Sequence, residues 1–520
     1  MTQDILSQKY WLDQAVKEIT IHKPQGKLVV SSGISPSGPY HIGHFREVLT
    51  TDALYRALKD AGREVVHLHF VDDFDPLRKR YPFLPKNYEE FVGTPLYLVP
   101  DPDDCHKSYA AHYYSEFEIS CKNLGIEMEV KFSHELYEEG VFTEKIEQSL
   151  ASVEVIRKTI EEVAGRELPQ KWAPIEILSK NNKLAESEFL ELDTEKKIIR
   201  FKEPDGEVSQ VNYSKGGVKL NWRIDWPARW AIFGVDIEPF GKEHATRGGS
   251  YDTGKELVRE VFNSEPPYPL PYETINLAGE TKKMSSSLGN VITPEDALKI
   301  IPIEVLRYFV LKSRPNKKID FDPGLGLYRL IDEYSQVELA TQSGKEHEFK
   351  RAYEIARAGT KERTISSVPF NHLVAVYQAA LKDRKKVFEL LKRSEYKKVA
   401  KEEKEILEKE LIYIEVWLKN YAPESVKFAI SKQLPQLPLT KDQKNFLADL
   451  ADKISEQTEV EGEWAHNAIY EIKDKHNLKP LEAFQAIYLV VLGQKSGPKA
   501  GWFLSNLDRD WLIKRLRLKG

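Results

Sequence analysis

In the first part of the chain, short apolar runs alternate with helically spaced apolar residues. KLVV, Lys27–Val30, has the unbroken apolar character of a buried strand. Ser31–Pro39 follows as a loop rich in Ser, Gly and Pro. From His41 the residues Phe45, Val48, Leu49, Ala53, Ala57 and Leu58 recur at helical spacing, which predicts a helix ended by Gly62. EVVHLHFV, Glu64–Val71, predicts the next strand. A strand, helix and strand of these lengths predict a right-handed crossover in a parallel sheet. Ligands of such sheets bind beyond the carboxyl ends of the strands, near helix N-termini.

The pattern then changes twice. Asp101–Tyr213 mixes helical segments with polar loops, and Asn181–Tyr213 is charged and poorly periodic, which predicts an insertion. Strand-and-loop character returns at VKLNWRIDWPARWAIFGVDIEPFGKEHATRGGSYD. From about Ile301 glycine becomes sparse and helical periodicity dominates, as in KKVAKEEKEILEKELIYIEVWLKNY (Lys397–Tyr421). The last third is therefore expected to be an all-helical domain.

Composition narrows the function classes. The chain has 520 residues, and at about 150 residues per domain roughly three domains are expected. Hydrophobic residues make up 41%, enough for packed cores. No apolar window reaches the roughly eighteen residues a membrane span needs, and the polar start, MTQDILSQKYWLDQAVKEI, predicts an amphipathic helix rather than a signal peptide. Cys105 and Cys121 are the two cysteines, too few for a disulfide framework or a four-cysteine metal site. A cytoplasmic protein is expected. The net charge of −5 confines any nucleic-acid binding to local basic runs, LKDRKK (Leu381–Lys386) and IKRLRLKG (Ile513–Gly520).

The candidate chemistry begins at SGISPSGPYHIGHFRE, Ser32–Glu47. A Gly/Ser loop feeding a helix start is an anion site, because free N–H groups and the helix dipole converge there. Residues three apart share a helix face, so His41 and His44 can reach one phosphate. Gly43 between them leaves room for a flat ring against the backbone. The best reading is a loop that holds a nucleotide by its α-phosphate, with Ser37 and Gly43 in that nucleotide site and the imidazoles stabilising developing charge; a structural loop with two incidental histidines is the alternative. The stretch His41–Ile42–Gly43–His44 resembles the HIGH signature of class I aminoacyl-tRNA synthetases and related nucleotidylyl transferases. Further on, Lys283–Met284–Ser285–Ser286–Ser287 resembles the KMSKS loop, with Ser286 in place of the second lysine. Adenylate formation expels pyrophosphate, and a mobile cation such as Lys283 lowers that barrier, with Met284, Ser285 and Ser286 alongside it. Thr293–Pro294–Glu295–Asp296 predicts the cap and acidic first turn of a helix.

The walls of the pocket bear on the second substrate. VDDFDPLRK offers Asp72, Asp73 and Asp75, and KLNWRIDWPARWAIFGVD offers Asp225 with Trp222, Trp226 and Trp230. Carboxylates among aromatics suit an ammonium-bearing side chain; tryptophans in the core and aspartates capping loops are the alternative.

The blocks HFVDDFDPLRK, DPDDCHKSYA, WRIDWPARWAIFGVDIEPFGKEHATRGGSYDTGKE, RPNKKIDFDPGLGL, YAPESVKFAI and LDRDWLIKRLRLKG, with the opening loop, resemble class I lysyl-tRNA synthetase over nearly the whole chain. That family is archaeal in type and also found in some bacteria. The resemblance implies a Rossmann-like parallel-sheet catalytic domain with an insertion, followed by an all-α anticodon-binding helix cage. The implied domains are 1–100 and 214–290 (catalytic), 101–213 (insertion), 291–335 (stem contact) and 336–520 (helical). It implies activation of L-lysine by ATP with Mg2+ and transfer to the terminal adenosine, at the 2′-hydroxyl, of lysine tRNA. A monomer is expected. The rivals are a glutamyl- or glutaminyl-type class I synthetase and a tRNA-binding paralogue without catalysis.

By resemblance Gly33, Ser35, Trp222 and Tyr272 line the lysine site, to which Asp73 is added as a carboxylate. Gly241, Glu243, His244 and Gly249 match the stretch holding adenine and ribose. Lys514, Arg515 and Arg517 are candidate tRNA contacts; Trp417, Tyr421, Phe428, Trp464, Trp502 and Trp511 are the rings in this region, most of them expected in the core and the rest open to unstacked bases. Many archaeal relatives carry a Cys/His zinc cluster in the insertion. Asn181–Tyr213 has neither residue, so no metal site and no structural zinc is expected.

Overall fold

The first apolar run grows into a longer strand than its hydrophobicity marks. The computed structural model describes residues 10–184, 187–279, 284, 291–431, 434, 438–497 and 499–519. In it β1 spans Leu28–Ile34, the crossover helix α1 Phe45–Asp60 and β2 Val65–Val71. β1 and β2 run parallel, paired from Leu28 opposite Val65 to Ile34 opposite Val71. α1 buries Phe45, Val48, Leu49, Ala53, Leu54, Ala57 and Leu58, the stripe its periodicity predicts. The helix starts later than His41, however. His44 N–H donates to His41 O (3.0 Å), Phe45 N–H to Ile42 O (3.1 Å) and Ile42 N–H to Ile292 O (3.0 Å), so His41–His44 form a tight turn ahead of the helix.

β3 (Glu129–Phe132) extends this sheet beyond β2. The described residues of the charged stretch Asn181–Tyr213 form strands. β4 (Glu188–Asp193), β5 (Ile198–Lys202) and β6 (Val208–Asn212) make an antiparallel three-stranded sheet. Alternation along β5 buries Ile199 and Phe201 against a cluster containing Leu136, Tyr137 and Ile160, while Arg200 and Lys202 face water. Apolar burial thus holds this sheet without a Cys or His in it. β7 (Ile237–Gly241) and β8 (Tyr268–Tyr272) complete the main sheet on the other side of β1, giving the order β8-β7-β1-β2-β3, all parallel. β7 and β8 share five residue pairs, but β1 and β7 share one, Val30 opposite Ile237.

The chain divides into two units. One comprises residues 1–296, 306–321 and 348–360 and holds the sheets. Within it Arg46, buried, donates to Val310 O (2.5 Å) and Arg314 O (2.9 Å), and Arg307 pairs with Asp52 (2.5 Å), tying α1 to the 306–321 segment. A short strand, Ile319–Phe321, pairs with Ile275–Leu277, so helix is not the sole element after Ile301. The other unit, 297–305, 322–347 and 361–520, is helical among the described residues. Its second half packs around Phe446, Leu450, Ile469, Ile487 and Val491. Trp417 is buried there, its Nε1–H donating to Pro323 O at 2.7 Å, which makes it a structural ring rather than one available to RNA bases. No described helix is long and apolar enough to cross a membrane.

Candidate active site

Strand β1 delivers the Gly/Ser loop and its two histidines to the carboxyl end of the sheet. His41 Nδ1 accepts from Gly43 N–H and His44 Nδ1 from His41 N–H, each at 3.1 Å. Burial lowers the pKa of His41 to about 3 and of His44 to about 4, so both are neutral near pH 7. A neutral ring whose Nδ1 accepts carries its proton on Nε2. The turn therefore presents two Nε2–H donors from rings 4.0 Å apart. Gly43 is required by its neighbour: a Cβ there would lie 2.7 Å from the His41 ring. The flat ring against the Gly43 backbone is thus the protein's own imidazole.

Ser35, Ser37, His41, His44, Phe83 and Met284 line one cavity of about 250 Å3. Met284, in the middle of the second motif, therefore lies beside the first. Lys283, Ser285 and Ser286 lie outside the described residues.

The order β7-β1-β2 makes the β1/β7 gap a topological switch point, where ligands of such sheets bind. Gly241 ends β7, and Glu243 and His244 follow in the turn Lys242–Ala245. Gly249 allows the chain to close on itself there, since a Cβ would lie 2.5 Å from His244 O. Burial lowers the His244 pKa. Trp222, partly exposed, stacks on Trp226 (5.5 Å, 14°) and lies 6.1 Å from His244. Trp226 and Trp230 are buried in the core beneath.

The aspartates are spent internally. Asp73 receives His134 N–H (3.0 Å) on one oxygen and the His134 ring on the other. Asp72 and Asp225 each pair with Arg229 at 2.5 Å, and Asp75 pairs with Lys219 at 3.0 Å. The carboxylate that joins the expected lysine-site residues is Glu47. It accepts from Gly33 N–H (2.7 Å) and from the Tyr272 hydroxyl (2.5 Å). Burial outweighs those two bonds and raises its pKa to about 8.

Residues 9–359 match the family described as tRNA synthetases class I (K), and residues 390–519 an anticodon binding domain. The chain belongs to the class I tRNA synthetases of the lysine type. It is 40% identical to the lysine–tRNA ligase of Methanosarcina barkeri over 97% of both chains. The lysine–tRNA ligase of Archaeoglobus fulgidus is 38% identical over 98% of this chain and 99% of its own. That of Pyrococcus horikoshii is 35% identical over 98% of this chain and 100% of its own.

For a synthetase of this family the structure groups the expected residues unevenly. Gly33, Ser35, Ser37, His41, Gly43, His44 and Met284 gather around the β1 loop, and Trp222, Gly241, Glu243, His244 and Gly249 around the end of β7. Tyr272 ends β8 and meets Glu47, whereas Asp73 is taken up by His134. Glu47 lies inside the quoted motif stretch, three residues after His44, and that shared helical face was the signal for it. Among the candidate tRNA contacts Lys514 and Arg517 are exposed, with Arg517 paired to Asp452 (2.6 Å), while Arg515 is buried with its guanidinium donating to Ser431 O (2.8 Å).

A donor cluster was also missed. Asp101, Cys105, His106 and His112 bring ligand atoms within 4.8 Å of one another. Cys105 Sγ lies 3.0 Å from His106 Nδ1 and 3.2 Å from His112 Nδ1, and His112 Nδ1 lies 3.0 Å from Asp101 Oδ1. A tetrahedral zinc with bonds of about 2.0–2.3 Å has edges near these separations. Backbone N–H groups of Asp103 (3.0 Å), Cys105 (2.8 Å) and His106 (2.5 Å) fold the loop around Asp101. One thiolate, two imidazoles and a carboxylate fit zinc. Asn181–Tyr213 holds no Cys or His, but the expectation of no metal in the chain took no account of this loop, whose spacing Asp-x3-Cys-His-x5-His was legible.

Proposed function

We propose that the protein activates L-lysine with ATP and transfers it to lysine tRNA. The observation that carries this reading is the pair of neutral imidazoles with Nδ1 locked and Nε2–H free, set at the switch point of a lysine-type class I synthetase sheet. The lysine carboxylate attacks the α-phosphorus, the bond to the β-phosphate oxygen breaks, and pyrophosphate leaves. His41 and His44 donate to the phosphate oxygens as charge builds. Lys283 has the role of cation for the leaving group, with Mg2+ accompanying ATP. Gly241, Glu243, His244 and Gly249 hold adenine and ribose. Gly33, Ser35, Trp222 and Tyr272 line the lysine pocket, and Glu47 receives the ε-ammonium. The lysyl group then passes to the 2′-hydroxyl of the terminal adenosine. The protein acts as a cytoplasmic monomer, and Asp101, Cys105, His106 and His112 hold a structural zinc.

The test is ATP–pyrophosphate exchange with tRNA present and each amino acid in turn. Exchange with lysine is the expected result; exchange with glutamate and not lysine would overturn the reading.

A further inference from the structure

The helical unit contains a cavity of about 540 Å3, within the range of small-ligand pockets, roughly 300–1,000 Å3. Asn371 and His372, at the start of helix Phe370–Ala379, form one side, and Tyr396, Lys499, Trp502 and Asn506 contribute others.

His372 carries the argument. Its ring lies 4.9 Å from that of Tyr396. Burial lowers its pKa to about 4, which makes it a neutral donor and acceptor at physiological pH. Its Nε2 is buried with no hydrogen-bond partner among the described residues. Folded chains rarely leave such an atom unpaired unless something else pairs with it. Around it, the Lys499 ammonium stands 5.9 Å from the centre of the Trp502 ring. Asn506, buried in the lining, donates to Trp502 O at 2.8 Å, which fixes its amide. The charged lining is Lys427 and Lys499 against Asp332, whose pKa burial raises and whose carboxylate accepts Phe370 N–H at 3.0 Å. Lys427 is paired with Glu424 at 2.8 Å, which leaves the Lys499 ammonium; with flat aromatic faces and neutral polar edges it suits a base with its phosphate.

We propose that this cavity takes one unstacked nucleotide of a single-stranded RNA loop, its base against His372, Tyr396 and Trp502 and its phosphate toward Lys499. The inference rests on the reading of the protein as a tRNA ligase. It adds Asn371 and His372, which lie outside the anticodon-binding match of 390–519, to the surface that reads the anticodon loop.

The test is steady-state lysylation by the full-length protein and its variants His372→Ala, His372→Gln and Asn371→Ala. Each is assayed with intact lysine tRNA and with a minihelix lacking the anticodon arm. His372→Ala is expected to raise KM for intact tRNA about tenfold or more at unchanged kcat, Asn371→Ala to raise it less, and His372→Gln to recover part of the loss. Minihelix charging should stay at the wild-type level. Abasic substitution along the anticodon loop should find one position that weakens wild type by the same factor and His372→Ala no further. Equal losses on the minihelix, or abasic losses that multiply with the variant's at every position, would overturn the proposal. Asn371 is exposed, so its variant carries the test if His372→Ala does not fold. A wild-type protein that charges no tRNA with lysine would instead sink the ligase reading.

Discussion

If Glu47 receives the lysine ammonium, as proposed, it couples substrate to protons. Its ordinary pKa of 4.5 is raised to about 8 in the free protein. Between those values the unfolded chain is ionised while the folded one keeps its proton, so this group's contribution to stability falls as pH rises from 4.5 to about 8. An ammonium bound beside it needs the carboxylate ionised, so lysine binding should release a proton. Lysine affinity is expected to climb by up to about tenfold per pH unit below pH 8 and level off above it. Glu47→Gln should flatten that slope and raise KM for lysine, as read from KM against pH. His41 and His44 were legible because their chemistry is local: loop, turn and two imidazoles within a few residues. Glu47 was not assigned, because its partner Tyr272 lies 225 residues away. The bond of Asp73 was hidden for the same reason, its carboxylate meeting His134 61 residues on.

Among the elements, the strand–helix–strand opening was readable because its periods are short and clean. The β4–β6 sheet was not, because exposed Glu, Lys and Arg dominate its composition and hide a single buried row containing Ile199 and Phe201. Phe201→Ala is expected to cost about 3–5 kcal/mol, measured by denaturant unfolding. The stretch Asp101–His112 adds a group of donor atoms to buried residues such as Tyr109 and Ala110. Protein purified without chelator is expected to hold about one zinc per chain, and Cys105→Ser to lose it with a lower unfolding temperature. Elemental analysis of both proteins checks this; a variant that keeps its zinc would place the metal elsewhere.

At the scale of the molecule, a net charge of −5 leaves RNA binding to local surfaces, and sequence alone does not say which basic residues reach them. Arg515 and Lys514 are neighbours in the terminal basic run with different fates, one buried and one exposed. Lys514→Ala is expected to reduce the salt slope of tRNA binding by about one, without loss of stability. Arg515→Ala should destabilise the protein by about 1–3 kcal/mol and leave that slope unchanged. Filter binding across a salt series, with thermal melts of both variants, separates the two.

The lone pairing of Val30 with Ile237 has a further consequence. Neighbouring strands joined at one point can diverge like the legs of a compass. The adenine proposed for that end of the sheet would then have no continuous β1–β7 ladder to rupture. The expense of making room is then met once, as the chain folds, and not again at every turnover.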